Sequence, residues 1–301
     1  MRHSILAATF GCKVKKMYPT LRRYESMYMN NLVWYAIIIT QIIAESLPIS
    51  SSGHVALLSM LVGFSQDTCI PIIHNGSSWL MQQLMLRSID HFLHGPTCII
   101  VALFFYDRWM GLLRCWRKTL PIIVRLITYV GIADFITGLF FIGFRWAPVC
   151  AFPLGLGFAI TALMLASLNW CNKDDESLTF MKMIILGVAQ GVALLPGISR
   201  LACTYTVARW LGLSPRHAFE TTWMMQMPLM VVSFLHSLII FYQMGIPDQI
   251  LNLETAFVMM GASIGGWYAL QLAAYASIHK KMWWFACYMI VPFMVWVLCR
   301  G

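Results

Sequence analysis

Two stretches of the chain decide its fold: Gln41-Ile-Ile-Ala-Glu-Ser-Leu-Pro-Ile-Ser50 and Gln190-Gly-Val-Ala-Leu-Leu-Pro-Gly-Ile-Ser199. Each interrupts an apolar segment with proline and serine or glycine, which end or break helices. In both stretches alanine follows glutamine by three positions, and Ile-Ser stands eight and nine positions after it. This match predicts an internal repeat.

The broken segments run over residues 31–64 and 183–213 and are otherwise apolar. Non-helical backbone at membrane depth is tolerated only where protein or a water-filled cavity satisfies its polar groups. We therefore predict two re-entrant helical hairpins, each entering and leaving on one side. Matching broken segments in the two halves of a membrane protein are typical of an inverted repeat with its site between the halves.

Composition supports a membrane protein. Of the 301 residues, 59% are hydrophobic and 11% are charged, against about 25% charged in a typical soluble domain. These values exclude a disordered chain, a coiled coil and an ordinary soluble globule. The nine cysteines show no C-x-x-C pair, which argues against a zinc site and a disulfide framework.

Six ordinary transmembrane helices are predicted. Four segments without Asp, Glu, Lys or Arg have close to the roughly 20 residues that a spanning helix needs: 146–172, 221–247, 255–278 and 282–299. Two further segments fit the pattern less well: 91–106, and 120–143, which contains Arg125 and Asp134. The predicted fold class is an all-α integral membrane protein of about six transmembrane helices plus two re-entrant helical hairpins. Residues 27–301 form a single domain with repeat halves 27–144 and 145–301.

The basic residues predict the orientation of these segments. The net charge is +9, and the loops at 107–119, 169–182, 213–217 and 278–282 carry most of the lysines and arginines outside the N-terminus. The positive-inside rule places these loops in the cytoplasm, so the excess charge does not indicate nucleic-acid binding. The basic N-terminus would fall on the opposite side. Residues 1–26 are therefore interpreted as an N-terminal extension, and whether it belongs to the native protein stays open. They do not resemble a secretory signal.

The first broken segment holds Glu45 and His54 beside Ser50, Ser51 and Ser52. A carboxylate in the bilayer costs at least about 2.5 kcal/mol, so such a group usually faces a polar cavity and has a function. The serines and the histidine can supply a nucleophile and its proton carrier. The alternative is a structural role, in which Glu45 makes a buried hydrogen bond and a serine caps a helix.

The second broken segment, Pro196-Gly-Ile-Ser-Arg200, is predicted to be a loop that leads into a helix. Free N–H groups at a helix N-terminus bind phosphate, and a guanidinium can grip a phosphate with two parallel hydrogen bonds. Ser199 and Thr204 offer hydroxyl groups nearby. The alternative is that Arg200 extends to the membrane surface.

Other polar residues receive structural interpretations. Asp90, His91 and His94 lie within about one turn near the start of a predicted span, and we interpret them as interfacial residues rather than as a metal site. Asp134 lies inside a span and is expected to pair with a cation such as Arg125 or with a polar residue.

The segment Glu45-Ser-Leu-Pro-Ile-Ser-Ser-Ser-Gly-His54 resembles the first signature of the undecaprenyl-diphosphate phosphatases, the bacitracin-resistance type of membrane phosphatase. Gln41 matches the Glu or Gln that this family carries four residues before the glutamate. Pro196-Gly-Ile-Ser-Arg200 with Thr204 resembles the second signature, and the resemblance extends from about residue 27 to the C-terminus. Leu201-Ala202 depart from the usual Ser-Gly, which removes one hydroxyl from the implied phosphate site.

The resemblance implies hydrolysis of undecaprenyl diphosphate to undecaprenyl phosphate and inorganic phosphate, which recycles the lipid carrier of peptidoglycan synthesis. It implies a multi-pass protein of the bacterial cytoplasmic (inner) membrane with its active site facing the periplasm. The implied partners are the lipid substrate and membrane lipids, and nucleic acid is not among them. The resemblance leaves open whether the protein forms a homo-oligomer.

The implied site includes residues of both signatures and a divalent cation, Mg²⁺ or Ca²⁺, held by Glu45 and Gln41. Ser51 is the first candidate nucleophile and Ser50 the second, while His54 is a general acid/base or itself the nucleophile. The catalytic candidates are Glu45, Ser50, Ser51, His54 and Arg200, and the substrate-binding candidates are Gln41, Ser52, Gly197, Ser199, Thr204 and Gln190.

Two alternatives from other classes stay open. A transporter or flippase for a polyprenyl-phosphate lipid would use the same inverted repeat with broken helices. An intramembrane serine protease would use serine and histidine in the membrane, but the serine run lacks a clear G-x-S-G and His236 is the only other histidine deep in a span.

Overall fold

The protein is helical throughout the part that the structure describes. A computed structural model describes residues 31–62, 77–146, 152–171, 174 and 177–300, with the side chains of 77–87, 116, 145–146, 244, 248–249 and 300 left out. The predicted N-terminal extension, residues 1–26, lies outside the described residues.

Within these ranges the helices follow one another with short connections. They are α1 (Asn31–Glu45), α2 (Ser51–Leu61), α3 (Ser77–Phe104), α4 (Tyr106–Arg114), α5 (Trp116–Trp146), α6 (Leu154–Ser167), α7 (Phe180–Val192), α8 (Arg200–Trp210), α9 (Pro215–Met244), α10 (Asp248–Leu251), α11 (Leu253–Ile278) and α12 (Trp284–Arg300), with a 3₁₀ turn over Leu168–Trp170.

Three helices, α5, α9 and α11, are long and apolar enough to cross a membrane. A fourth candidate is the pair α3 and α4, which is bent by 59° at the break between them. The prediction of an all-α membrane protein is therefore confirmed. The predicted spans at 146–172 and 282–299 fold as α6 and α12, with 14 and 17 residues, so helix length does not establish six spans.

Each broken segment forms a pair of short helices joined by a turn. The four helices α1, α2, α7 and α8 have 15, 11, 13 and 11 residues. At about 1.5 Å per residue each is shorter than the hydrocarbon core of about 30 Å. Since α1 packs on α2 and α7 on α8, each segment folds as a hairpin of two short helices, and its re-entrant course through the membrane stays a prediction.

The serines that end the repeated motif have the same structural role in both hairpins. The hydroxyl of Ser50 accepts a hydrogen bond from the Gly53 backbone N–H at 3.2 Å and caps α2. The hydroxyl of Ser199 accepts one from the Ala202 backbone N–H, also at 3.2 Å, and caps α8. These caps satisfy N–H groups that a helix start leaves unpaired, which explains why a polar residue stands there in an apolar segment.

The hairpins open toward opposite ends of the bundle. At the start of α1, the indole of Trp34 donates to the hydroxyl of Thr255 at 3.2 Å, in the first turn of α11. At the end of α8, Arg209 shares Asp174 with Lys280, which follows the last turn of α11. Because α11 has 26 residues and so is about 39 Å long, the open ends of the hairpins lie far apart.

Packing between the two parts of the chain is reciprocal. The first hairpin packs through α1 on α11 and through α2 on α12, while the second packs through α7 on α5 and through α8 on α6. In addition, α3 packs on α9 and α6 on α12. Each hairpin thus packs on the last two helices of the other group of elements, α1–α6 or α7–α12. Two related halves of opposite direction would produce this pattern.

Helix α6 supports the turn of the second hairpin directly. The hydroxyl of Thr161 donates to the Gly197 carbonyl at 3.2 Å and accepts from the Ser199 N–H at 3.1 Å. Gly157 faces the same turn so closely that a Cβ there would lie 2.0 Å from the Pro196 carbonyl oxygen. Gly197 itself has a φ of +80°, a conformation that glycine adopts without strain.

Gly157→Ala is therefore expected to destabilise the protein by about 1–3 kcal/mol, the usual result of forcing a larger side chain into a packed interior. The thermal unfolding midpoint in detergent measures this loss. Gly261→Ala is the matched control because a Cβ at Gly261 meets nothing within 4 Å. Equal midpoints for the two variants would contradict the contact between α6 and the turn.

Candidate functional site

The carboxylate of Glu45, at the end of α1, is the centre of a buried polar cluster. The guanidinium of Arg200 donates to its Oε1 at 2.8 Å. The amide of Gln41 and the hydroxyl of Ser51 each donate to its Oε2 at 2.9 Å. Although 155 positions separate Glu45 from Arg200, the cluster joins the two hairpins through these side chains.

A fourth group near the carboxylate is the imidazole of His94 on α3. Its Nδ1 lies 3.2 Å from Glu45 Oε2, which is ion-pair distance if the ring is protonated, but the ring is not aligned for a hydrogen bond. The interpretation of His94 as an interfacial residue was wrong, because its side chain is only 4% exposed. The sequence contained a signal for this, since a histidine in an apolar helix, like a carboxylate there, is costly in lipid and usually has a function.

Beside the cluster is a small polar cavity of about 30 Å³, the share of liquid volume of roughly one water molecule. Residues from both hairpins and from α9 line it: Glu45, Leu47, Ile49, Ser50, Ser51, Ser52, Ala193, Ile198, Ser199, Arg200, Leu201 and Gln226. The side chain of Arg200 is 21% exposed, so this cation is the least enclosed charged group of the cluster.

Two helix N-termini meet at this cavity. Ser51 begins α2 and Arg200 begins α8, and both residues line the cavity together with the caps Ser50 and Ser199. The start of a helix carries a partial positive charge and N–H groups that bind anions. With the guanidinium and the hydroxyl groups added, the cavity holds the kinds of group that bind a phosphate, alongside the carboxylate of Glu45.

Four residues of the predicted substrate site do not line the cavity. Gln41 lies behind it and donates to Glu45. The hydroxyl of Thr204 donates to the Arg200 carbonyl at 2.7 Å, within α8, and Gly197 forms the turn that Thr161 holds. Gln190 donates to Asp134 on α5 at 3.0 Å. The partner of Asp134 is thus a polar residue and not a cation.

His54 lies apart from the charged cluster. Its Nδ1 is 2.6 Å from the Ser50 carbonyl oxygen and its Nε2 is 3.1 Å from the hydroxyl of Tyr288 on α12. The imidazole stacks on the Tyr288 ring and meets the edge of Phe158. The structure therefore brings together Glu45 and Arg200 of the predicted trio, while His54 connects α2 to α12.

Sequence analysis also missed Gln226, which lines the cavity from α9. Its segment, 221–247, was recognised by its lack of Asp, Glu, Lys and Arg, a criterion that ignores uncharged polar residues. A buried amide within a membrane helix was the available signal.

Glu45 and Gln41 as they stand do not fit a resident divalent cation. Oε2 of Glu45 already accepts two hydrogen bonds, from Gln41 and Ser51, and Oε1 accepts one from the cation Arg200. Mg²⁺ or Ca²⁺ bound to this carboxylate would lie against the guanidinium and be repelled by it. Of the side-chain oxygens of Glu45 and Gln41, only Oε1 of Gln41 accepts no hydrogen bond from the described residues. Nor do those residues contain a group of three or more His, Cys, Asp or Glu side chains that could hold a metal ion.

The fold and the site define an all-helical membrane protein with a polar cavity between two pairs of short helices. The sequence profile of the bacitracin resistance protein BacA matches residues 34–294, and the chain belongs to that family.

Relatives of the chain support this assignment over most of its length. An undecaprenyl-diphosphatase of Magnetococcus marinus is 27% identical over 270 residues, covering 86% of this chain and 92% of the relative. One of Carboxydothermus hydrogenoformans is 25% identical and covers 90% and 95%. One of Campylobacter concisus is 30% identical and covers 65% and 71%.

A double-mutant cycle tests the ion pair between the hairpins. Glu45→Gln and Arg200→Met should each lower the free energy of unfolding, and the double variant should lose less than the sum of the two by about 0.5–3 kcal/mol. The reason is that the second change removes a group whose partner is already absent.

The control cycle combines Glu45→Gln with Arg125→Met, since Arg125 donates to the Leu178 carbonyl and does not line the cavity. Here the effects should add within about 0.5 kcal/mol. Additive losses for Glu45 and Arg200 as well would contradict a direct contact between them.

Proposed function

We propose that this protein hydrolyses undecaprenyl diphosphate to undecaprenyl phosphate and inorganic phosphate and so recycles the lipid carrier of peptidoglycan synthesis. The observation that carries the proposal is the hydrogen bond of 2.9 Å from the Ser51 hydroxyl to Glu45, beside Arg200 and two helix N-termini. This arrangement supplies a hydroxyl, a base and anion-binding groups at one point. The names of the relatives supply the substrate.

The lipid character of the substrate fits a cavity inside the bundle. The polyprenyl chain stays in the bilayer, so only the diphosphate has to enter the polar space. Because Arg200 lines the cavity and donates to Glu45, we propose that it exchanges this bond for bonds to phosphate oxygens when the diphosphate enters. A guanidinium makes comparable paired hydrogen bonds to carboxylate and to phosphate, and the exchange leaves Glu45 able to accept a proton.

In the proposed first step, Ser51 Oγ attacks the terminal phosphorus and Glu45 takes the hydroxyl proton. The bond from that phosphorus to the bridging oxygen breaks, and undecaprenyl phosphate leaves with the electron pair and takes up the proton from Glu45. In the second step, water attacks the phosphoserine, Glu45 accepts the proton of the water and passes it to Ser51 Oγ, and Ser51 leaves as the alcohol with inorganic phosphate released. Arg200 and the helix N-termini stabilise the charge on the transferred group, which is most of what phosphoryl transfer requires.

The proposal assigns different roles to the other catalytic candidates. The Ser50 hydroxyl accepts a hydrogen bond as the cap of α2, and His54 is held by Ser50 and Tyr288. We therefore assign Ser50 and His54 to positioning Ser51 rather than to attack on phosphorus. Gln41 orients Glu45 through its amide, and Ser52 and Ser199 line the space for the diphosphate.

We keep the requirement for Mg²⁺ or Ca²⁺ as a proposal, but without Glu45 and Gln41 as the residues that hold the ion. Since Glu45 is engaged by donors, we propose that the ion enters on the diphosphate oxygens, which such ions commonly use as ligands.

We further propose the complete architecture and its place in the cell. The exchanged packing of the hairpins supports an inverted repeat of six spanning elements and two re-entrant hairpins. It favours a boundary between the halves after α6 instead of the predicted one at residue 144, because α6 packs on α8 as α12 packs on α2. The basic residues of the loops at 107–119, 213–217 and 278–282 support a cytoplasmic position for that end. The first hairpin then opens toward the periplasm, where the active site of this inner-membrane protein takes its substrate.

Ser51→Ala is expected to reduce phosphate release from undecaprenyl diphosphate by at least about 100-fold, because the attacking hydroxyl is removed. Released phosphate from the purified protein in detergent is the measurement. Ser59→Ala is the matched control: Ser59 is a buried serine of the same helix whose hydroxyl donates to the Val55 carbonyl. Normal turnover by Ser51→Ala would show that another group attacks phosphorus.

Removal of divalent cations with a chelator is expected to abolish phosphate release. Because the ion is proposed to enter with the substrate, Mg²⁺ alone should leave the thermal unfolding midpoint unchanged, whereas Mg²⁺ with methylenediphosphonate should raise it. A midpoint that rises with Mg²⁺ alone, and does so only while Glu45 is present, would instead assign the ion to the protein.

A further inference from the structure

The side chain of Gln226 is a buried amide with an unused hydrogen-bond donor. Gln226 lies in the middle of α9 and is 2% exposed. Its Nε2 has no hydrogen-bond partner among the residues that the structure describes. Removing an amide N–H from water without a new partner costs free energy, so this position calls for an acceptor that the described part of the chain does not supply.

The surroundings of Gln226 indicate what that acceptor is. The residue lines the same cavity as Ser51, Ser52, Ser199 and Arg200. Ser51 and Arg200 donate to Glu45, which lines the same cavity. A phosphate that replaces Glu45 as the acceptor of Arg200 would lie at the starts of α2 and α8, beside the unused donor of Gln226. The amide of Gln226 adds an uncharged donor from α9, which belongs to neither hairpin.

We propose that Gln226 is a substrate-positioning residue whose Nε2 donates a hydrogen bond to a non-bridging oxygen of the diphosphate. This inference rests on the proposed hydrolysis of a lipid diphosphate. Since the amide has no charge and no proton to transfer, its contribution is to binding and orientation of the phosphate groups. Its loss should therefore raise KM more than it lowers kcat.

The test compares the wild type with Gln226→Met, which keeps the length and volume of the side chain and removes the donor. Phosphate release from undecaprenyl diphosphate in detergent should show KM raised about tenfold with kcat changed little, the scale of one lost hydrogen bond to a charged group. The thermal unfolding midpoint of the ligand-free protein should stay the same or rise. The increase in midpoint that inorganic pyrophosphate produces in the wild type should become smaller.

A structural role for the amide predicts the opposite pattern, with a lower ligand-free midpoint and an unchanged response to pyrophosphate. Thr222→Val is the matched control, because Thr222 lies one turn earlier on α9, is also buried with an unpartnered hydroxyl, and does not line the cavity. It should retain the KM of the wild type. Gln226→Asn, which keeps the amide but withdraws it by one methylene, provides a second variant and should also raise KM.

The outcomes separate the inference from the proposed function. If the wild type releases phosphate and both Gln226 variants keep its KM and its response to pyrophosphate, the positioning role is overturned while the enzyme assignment stands. If the wild type releases no phosphate from the lipid, the proposed function fails and the inference fails with it.

Discussion

The need to satisfy one buried carboxylate organises the centre of this protein. A charge within the bilayer costs several kcal/mol unless it is paired, and Glu45 is surrounded by a guanidinium, an amide, a hydroxyl and an imidazole. These groups come from α1, α2, α3 and α8, so the carboxylate ties together both hairpins and a long helix. Removing one member of such a group leaves another polar group buried without a partner, which costs more than the contact contributes.

The same constraint explains the shape of the hairpins. Chain that turns back inside a membrane exposes backbone N–H and C=O groups that lipid cannot satisfy. Ser50 and Ser199 cap the second helix of each hairpin, and Thr161 satisfies the turn around Gly197. Because the hairpins point toward each other from opposite ends, both caps and both helix starts reach one cavity, and the elements that stabilise the turns also form the anion site.

The proposed mechanism separates residues that hold the site from residues that react. His54 bridges Ser50 and Tyr288 and so fixes the first turn of α2 against α12. Arg200 donates to the carboxylate of Glu45, and the proposed exchange of that acceptor for a phosphate would link substrate binding to the freedom of the base. Gln226 adds a donor from a third direction, which would fix the orientation of a flexible diphosphate.

The sequence alone determined the membrane class and the positions of the two hairpins, and it singled out Glu45, Ser51 and Arg200, which the structure brings together. These follow from local properties: apolar length, helix-breaking residues and the cost of isolated charges in lipid. The tertiary structure decided which polar groups meet. His94 and Gln226 join the site from α3 and α9, whereas His54, Thr204 and Gln190 face other partners. Sequence spacing could not show this, because the direction of a side chain depends on how distant helices pack and rotate against one another.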